Sequence, residues 1–168
     1  LGAQAESVNT SFDITNASIY SNIIYNFSKK LVFNFGARFS SYSNSYLGEG
    51  STSDDNWNPI PIETINESLK NQMIGAHASI SYKINEKSNL YTAINRGYKG
   101  GGINQNPYLS DTQRFFKPEH NLNINGGIRH SSNNYELNIN LFYMKRSEQQ
   151  VGLYYQLEPE NPLSFTFY

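Results

Sequence analysis

The chain has 168 residues, a formal net charge of −1 and a pI near 6.3, so it carries no overall basic field that would gather nucleic acid. Cysteine is absent, which removes disulfide scaffolds, thiolate metal centres and cysteine nucleophiles together. Aromatic residues reach 14%, with 13 Tyr and 10 Phe, yet mean hydropathy is −0.60; strands with one apolar-aromatic face and one uncharged polar face would have this composition.

Leu1 to Asn9 lacks the basic start and apolar core of an export signal, and no run of about 18 apolar residues exists that would cross a membrane as a helix. Period-two alternation predicts six long strands instead, over about 17–27, 31–43, 71–83, 89–98, 119–130 and 135–157. In the first, Ile19, Ile23, Tyr25 and Phe27 oppose Tyr20, Asn22 and Asn26, with Ile24 off the pattern. In LVFNFGARFSSYS, Leu31, Phe33, Phe35, Ala37 and Phe39 share one face and Asn34, Gly36, Arg38 and Ser40 the other. The third places Ile74, Ala76, Ala78, Ile80 and Tyr82 against His77, Ser79, Ser81 and Lys83. The fourth is ambiguous, because Leu90 and Ile94 share a file with Arg96. LNINGGIR and YELNINLFY then alternate cleanly, with Arg129 and Glu136 on their polar files.

Strands this long exceed the usual mode of about 5 to 6 residues and match the about 9 to 11 needed to cross a bilayer tilted. Short polar turns, SKK (28–30), NEKS (85–88) and SSNN (131–134), join strands in pairs, whereas about 44–70 and 99–117 read as long outer loops. Short turns on one side and long loops on the other is the layout of an outer-membrane barrel. Outside the ambiguous fourth strand each apolar file lacks charge, and Tyr and Phe near strand ends suit an interfacial girdle. A half-buried soluble sheet would alternate in the same way. The fold class expected is therefore all-β, an antiparallel up-and-down meander.

RGYKGGGINQNP (96–107) invites a phosphate-binding reading that fails. Gly97 and Gly102 have P-loop spacing, but Ile103 stands where the lysine should be and no helical segment follows. The glycines are expected instead to let the chain turn where a long strand leaves the sheet.

With these residues the sequence resembles the TonB-dependent outer-membrane receptor family. NLYTAINRGYKGGGIN is similar to the family's strand that ends in a long outer loop. Lys117-Pro118-Glu119, Gly127-Ile128-Arg129, Phe142-Tyr143 and Gln149-Gln150-Val151 follow in the family's order, and FNFGARFSSYS and ISYKINEKSNLY resemble its upstream strand and hairpin. The resemblance covers about 17–151. It implies a segment of a 22-stranded barrel with a plugged lumen. It also implies import of a scarce nutrient, most often a ferric siderophore, otherwise cobalamin, haem or glycans, energised through TonB. Expected partners are TonB, the plug domain, the ligand and outer-membrane lipid; no nucleic acid and no cofactor are expected.

The chain is expected to be a piece: about six strands, no plug domain, no TonB box near Leu1, and a final SFTFY that reads as the start of another strand. Six strands leave two open edges and an apolar face, so the isolated piece is expected not to transport and to self-associate. A passive outer-membrane barrel or adhesin, and a secreted β-sandwich that binds carbohydrate through tyrosines, are the competing readings.

Candidate ligand contacts are the loop aromatics Trp57, Tyr46 and Tyr108, with Phe115 and Phe116 under the same argument, and Arg38, Arg96 and Arg129 if they face the lumen. The plainer reading is that the aromatics pack their own loops and the arginines pair with neighbouring acids. Asp54 and Asp55 lack the alternation of a calcium loop, and His77, His120 and His130 are not spaced as metal ligands. Asn66-Glu67-Ser68 matches a glycosylation acceptor without meaning in a Gram-negative protein. No Ser-His-Asp or paired-carboxylate arrangement can be assembled, and no enzyme is expected.

Overall fold

The computed structural model describes residues 7–54, 56–105, 111–152, 154–156 and 165–167. In chain order the elements are β1 (Ser7–Asn26), β2 (Leu31–Ser53), β3 (Pro59–Asn85), β4 (Ser88–Lys99), β5 (Gly102–Ile103), α1 (Asp111–Arg114), β6 (Phe115–Phe116), β7 (Glu119–Ser131), β8 (Glu136–Ser147), β9 (Tyr154–Gln156) and β10 (Phe165–Phe167). Six of them form one antiparallel sheet in the order β1-β2-β3-β4-β7-β8, an up-and-down meander open at both edges. β5 and β6 pair with each other, as do β9 and β10.

Short turns set the register. Ser28 Oγ accepts from the backbone N–H groups of Lys30 (3.2 Å) and Leu31 (3.0 Å), which closes the β1–β2 hairpin. Asn85 Oδ1 accepts from Lys87 N–H (2.9 Å) in the β3–β4 turn. The Ser132 N–H donates to the Tyr135 carbonyl (2.8 Å) between β7 and β8.

The register gathers the apolar files into rows that cross the sheet. Leu31, Tyr82, Leu90, Ile128 and Ile139 stand side by side, as do Ile23, Phe35, Ala78, Ile94, Ile124 and Tyr143. From Leu31 to Phe39 the strand rises roughly 27 Å at about 3.3 Å per residue. At the tilt of about 40° usual in barrels that is a band roughly 20 Å tall, close to the ~25 Å apolar belt of a barrel wall. Most large side chains of this band are exposed, Ile19, Ile23 and Leu141 among them, so no second layer covers them.

Two expectations about the strands need correction. Residues 44–70 are not a loop: β2 runs on to Ser53, β3 begins at Pro59, and backbone hydrogen bonds of Asp54 with Trp57 and Asn58 bring their ends together. β1 likewise begins at Ser7 rather than near 17 and pairs with β2 as far as Ser51. The pattern was hidden because the apolar face reverses. Above the row of Ile19, Phe39 and Ile74, the outward side chains become Thr15, Ser43 and Lys70, then Asp13, Ser45 and Ser68. The inward ones become Phe12, Ile14, Tyr46, Ile65 and Leu69. A register shift between Gly48 and Gly50 adds a bulge to this outer blade.

The second correction concerns 135–157. β8 ends at Ser147 because Glu148 takes a left-handed backbone (φ 53°) that no strand continues through; β9 belongs to a separate ribbon. The predicted loop 99–117 holds β5, α1 and β6, and β10 lies where SFTFY was expected to begin a strand, paired with β9.

Candidate functional site

The polar face of the sheet carries the chain's hydrogen-bonding side chains. On it the Arg38 guanidinium donates from Nη2 to Ser18 Oγ (2.9 Å) and from Nε to Ser40 Oγ (3.2 Å). Ser18 and Ser40 share a hydrogen bond (2.7 Å), and Ser40 shares another with Tyr98 Oη. Ser40 is fully buried by this arrangement. Arg38 is thus held by hydroxyls rather than by an acid, so its positive charge is not neutralised within the described residues. Arg129 lies on the same face, with its guanidinium carbon 4.9 Å from the Tyr91 ring centroid, and Tyr91 Oη donates to Asn140 Oδ1 (3.1 Å). Glycine is needed at 127, because a Cβ there would run into the Ile139 carbonyl oxygen and would also meet the Tyr91 hydroxyl at 2.8 Å.

Arg96 is the exception among the three arginines. Its register partners are Ala76 and Leu122, so it stands in the apolar file with Ile94 and Leu90, at the outer rim of the band. There it donates from Nη1 to the Ile74 carbonyl and lies 3.5 Å from His120 Nδ1. The expectation that it would face the lumen is overturned by this register. An Arg in an apolar file is tolerated at the rim, where its head reaches the polar side of the boundary.

Tyr46 is taken up in packing. It is 1% exposed, packs edge-on to Phe12 (ring centroids 6.2 Å), donates its Oη to the Gln105 carbonyl (3.2 Å) and forms the blade's small core with Ile65, Ile103 and Leu69. Burial pushes its phenol above the ordinary value, against the opposing pull of Arg114. Trp57, by contrast, is 62% exposed at the tip of the blade, with a left-handed backbone (φ 65°). Its N–H donates to the Asp54 carbonyl (3.0 Å), while the Asp54 carboxylate accepts from Asn56 N–H (2.9 Å), Asn58 N–H (2.8 Å) and Asn58 Nδ2 (2.9 Å). Those bonds hold the carboxyl below its usual range. Asp54 is therefore committed to the turn, and Asp55 and Tyr108 lie outside the described residues. Among the described residues no cluster of three or more His, Cys, Asp or Glu could hold a metal ion.

The glycine run lies where β5 folds over the inward apolar face of the blade formed by β2 and β3. A Cβ on Gly101 would run into the Phe116 carbonyl oxygen, and one on Gly100 would lie 3.3 Å from the Tyr42 ring, so the close approach requires glycine. What fastens this segment is a clasp that sequence reasoning did not assign. Gln150 donates from Nε2 to the carbonyls of Gly100 (2.8 Å) and Lys117 (3.0 Å), and its N–H donates to Glu119 Oε2 (3.2 Å). Glu119, buried, also pairs with Arg146 (3.2 Å to Nε). The signal for it was present in Lys117-Pro118-Glu119 and Gln149-Gln150-Val151, two short motifs with no visible reason to meet.

Elsewhere the polar face holds groups left without partners. The Oδ1 atoms of Asn34, Asn44, Asn123 and Asn125 and the Nδ2 of Asn71 are buried with no hydrogen-bond partner among the described residues. All five project from the polar face by register. An unmade bond to a buried amide costs about 1 to 3 kcal/mol.

Comparison with known proteins agrees with this geometry. The family model described as TonB dependent receptor-like, beta-barrel, matches residues 2–159. Among solved structures, the chain is similar to the ferric yersiniabactin uptake receptor FyuA from Yersinia pestis, with 21% identity and a TM-score of 0.75 over 87% of this chain and 22% of that one. It is also similar to the ferric-catecholate import receptor Fiu from E. coli, with 15% identity and a TM-score of 0.69 over 94% of this chain and 24% of that one. No curated protein matches significantly. The chain spans less than a quarter of the length of either solved receptor.

Proposed function

From the premise that the chain belongs to the TonB-dependent receptor β-barrel family, we propose that it is part of the wall of an active-transport receptor in the outer membrane of a Gram-negative bacterium. The receptor imports a scarce nutrient, most readily a ferric siderophore, and draws its energy through TonB. The observation that carries this reading is the match over 2–159 together with a sheet whose apolar rows form a belt of barrel-wall height.

The apolar face meets lipid and the polar face meets the lumen. The uncompensated guanidinium of Arg38 lies where an anionic chelate or a plug carboxylate would be attracted. Trp57 on the exposed tip is the aromatic best presented to the outside. By itself the six-stranded sheet cannot close or transport, and its two open edges and apolar face favour self-association.

The test is uptake by the full-length receptor in cells. A strain lacking it is expected to lose import of at least one radioiron-labelled chelate, and a strain lacking TonB to lose the same import. Unchanged uptake of every iron chelate would overturn the siderophore assignment, and uptake that persists without TonB would favour a passive barrel.

A further inference from the structure

We infer that the apolar side of β4, β7 and β8 carries a site for the phosphate headgroup of an outer-leaflet lipid, built from Arg96, His120 and Lys145 around Leu122. Arg96 and Lys145 flank Leu122 in one row of the sheet, as its register partners on β4 and β8. His120 follows Leu122 on the same file of β7, and the Arg96 guanidinium lies 3.5 Å from its Nδ1. Lys145 continues the file of Ile139, Leu141 and Tyr143, and Leu122 that of Ile124 and Ile128, so all these residues belong to the apolar face.

The three cationic side chains stand at the upper edge of the belt. At about 3.3 Å per residue and a tilt of about 40°, Arg96 rises roughly 20 Å above Ser88 at the short-turn end. On the same arithmetic Lys145 rises roughly 23 Å above Glu136, and His120 roughly 28 Å above Ser131. The apolar belt of a barrel wall is about 25 Å tall. An outward charge in mid-belt is costly, whereas at the edge a long cationic side chain reaches the headgroup layer.

Their charge is not answered from within. Among the described residues no carboxylate pairs with Arg96 or Lys145, and Arg96 donates to the Ile74 carbonyl instead. Both cations are exposed, and below them Leu122, Ile124 and Tyr143 continue the apolar surface. Hydrocarbon below and positive charge above match an amphiphile with an anionic head. A free anion would gain nothing from the apolar half, and a zwitterionic head would bring its own cation to the site. Phosphate fits the donor set, because its oxygens accept from a guanidinium fork and an ammonium at once. The inference rests on the proposal that the apolar face meets lipid.

The test is native mass spectrometry of the full-length receptor, delipidated and titrated in detergent with lipid A and with its dephosphorylated form. Expected is a saturable adduct with lipid A, bound about tenfold or more tightly than the dephosphorylated lipid. This comparison needs no variant. Arg96→Gln combined with Lys145→Gln, which keeps the aliphatic stems, should weaken the lipid A adduct about tenfold or more. Lys70→Gln, outward but in the blade above the belt, should change it less than about twofold. Equal affinity for the two lipids, an unchanged double variant, or displacement by inorganic phosphate at matched concentration overturns the site. Photo-crosslinking from Ile128→p-benzoylphenylalanine in native membranes reports on the reading beneath it. Lipid adducts are expected there, and their absence overturns the lipid-facing assignment itself rather than the site alone.

Discussion

Below the row of Ile19, Phe39 and Ile74, the strands β1, β2 and β3 turn apolar side chains outward; above it the same strands turn them inward. The backbone pairing continues through the boundary, with a single bulge near Gly48. If the sheet is the barrel wall proposed above, what changes is the solvent on each side: hydrocarbon outside the lower band and water outside the blade. In the blade Asp13, Ser45 and Lys70 point out while Tyr46, Ile65 and Leu69 bury themselves against Ile103. Which face of a strand is apolar is therefore a property of position along the barrel axis, not of the strand.

The sharpest way to break this comparison is one substitution made in both regions. Ala78 stands in the middle row of the band, between Phe35 and Ile94. Ala78→Arg puts a charge near mid-belt and is expected to cost at the upper end of about 2 to 4 kcal/mol in the full-length receptor, read by urea unfolding in lipid vesicles. Ser45→Arg, outward in the blade and exposed, should fall within about 0.5 kcal/mol. Equal costs would mean that the belt does not end where the face reverses.

Next in size is the blade's own core. Tyr46→Ala removes the largest fully buried side chain and should cost about 3 kcal/mol of blade stability, seen as faster hydrogen exchange in β2 beyond Phe39 with the band unchanged. Tyr46→Phe keeps the packing against Phe12 and loses the bond to Gln105, so about 1 kcal/mol is expected. If both variants left the blade protected, the inward apolar face would be incidental.

Much of the band was legible because its alternation is uninterrupted: Leu31 to Phe39 and Ile74 to Tyr82 place every odd or even residue correctly. The blade was not legible, because Tyr46 and Ile65 sit on the opposite parity from Phe39 and Ile74, and a phase reversal reads as the end of a strand. Arg96 showed the limit of the polar-file rule. Its ambiguous parity was visible, but only the pairing with Ala76 settled its face. The clasp was beyond reach for another reason: Gln150 and Gly100 are 50 residues apart, and nothing local in either predicts their contact.

That clasp ties together the ends of β4, β7 and β8 and gives a smaller effect. Gln150→Leu leaves the carbonyls of Gly100 and Lys117 without their donor and is expected to cost about 1 to 2 kcal/mol. Limited proteolysis should then cut between Gly100 and Lys117 several-fold faster, while β1 to β3 stay intact. Gln150→Glu should behave the same way, since a carboxylate cannot donate to either carbonyl.

The smallest effect lies at the blade's tip and depends on pH. Asp54's carboxyl is held below its usual range by hydrogen bonds from Asn58, side chain and backbone, and from Asn56. A carboxylate whose folded pKa is depressed contributes stability that is complete above its unfolded value, near pH 4. The contribution fades as pH falls through the lower folded value. Between neutral pH and about pH 5 the turn should therefore be insensitive. Below about pH 4 the N–H groups of Asn56 and Asn58 should lose protection, followed by NMR in micelles, and the strained backbone of Trp57 should relax. Asp54→Asn keeps an acceptor for one N–H but has no charge to lose, so its turn should be looser at neutral pH and flat in acid. A wild-type tip that is equally flat would mean that the Trp57 conformation is set by the strands of the blade rather than by the carboxylate beneath it.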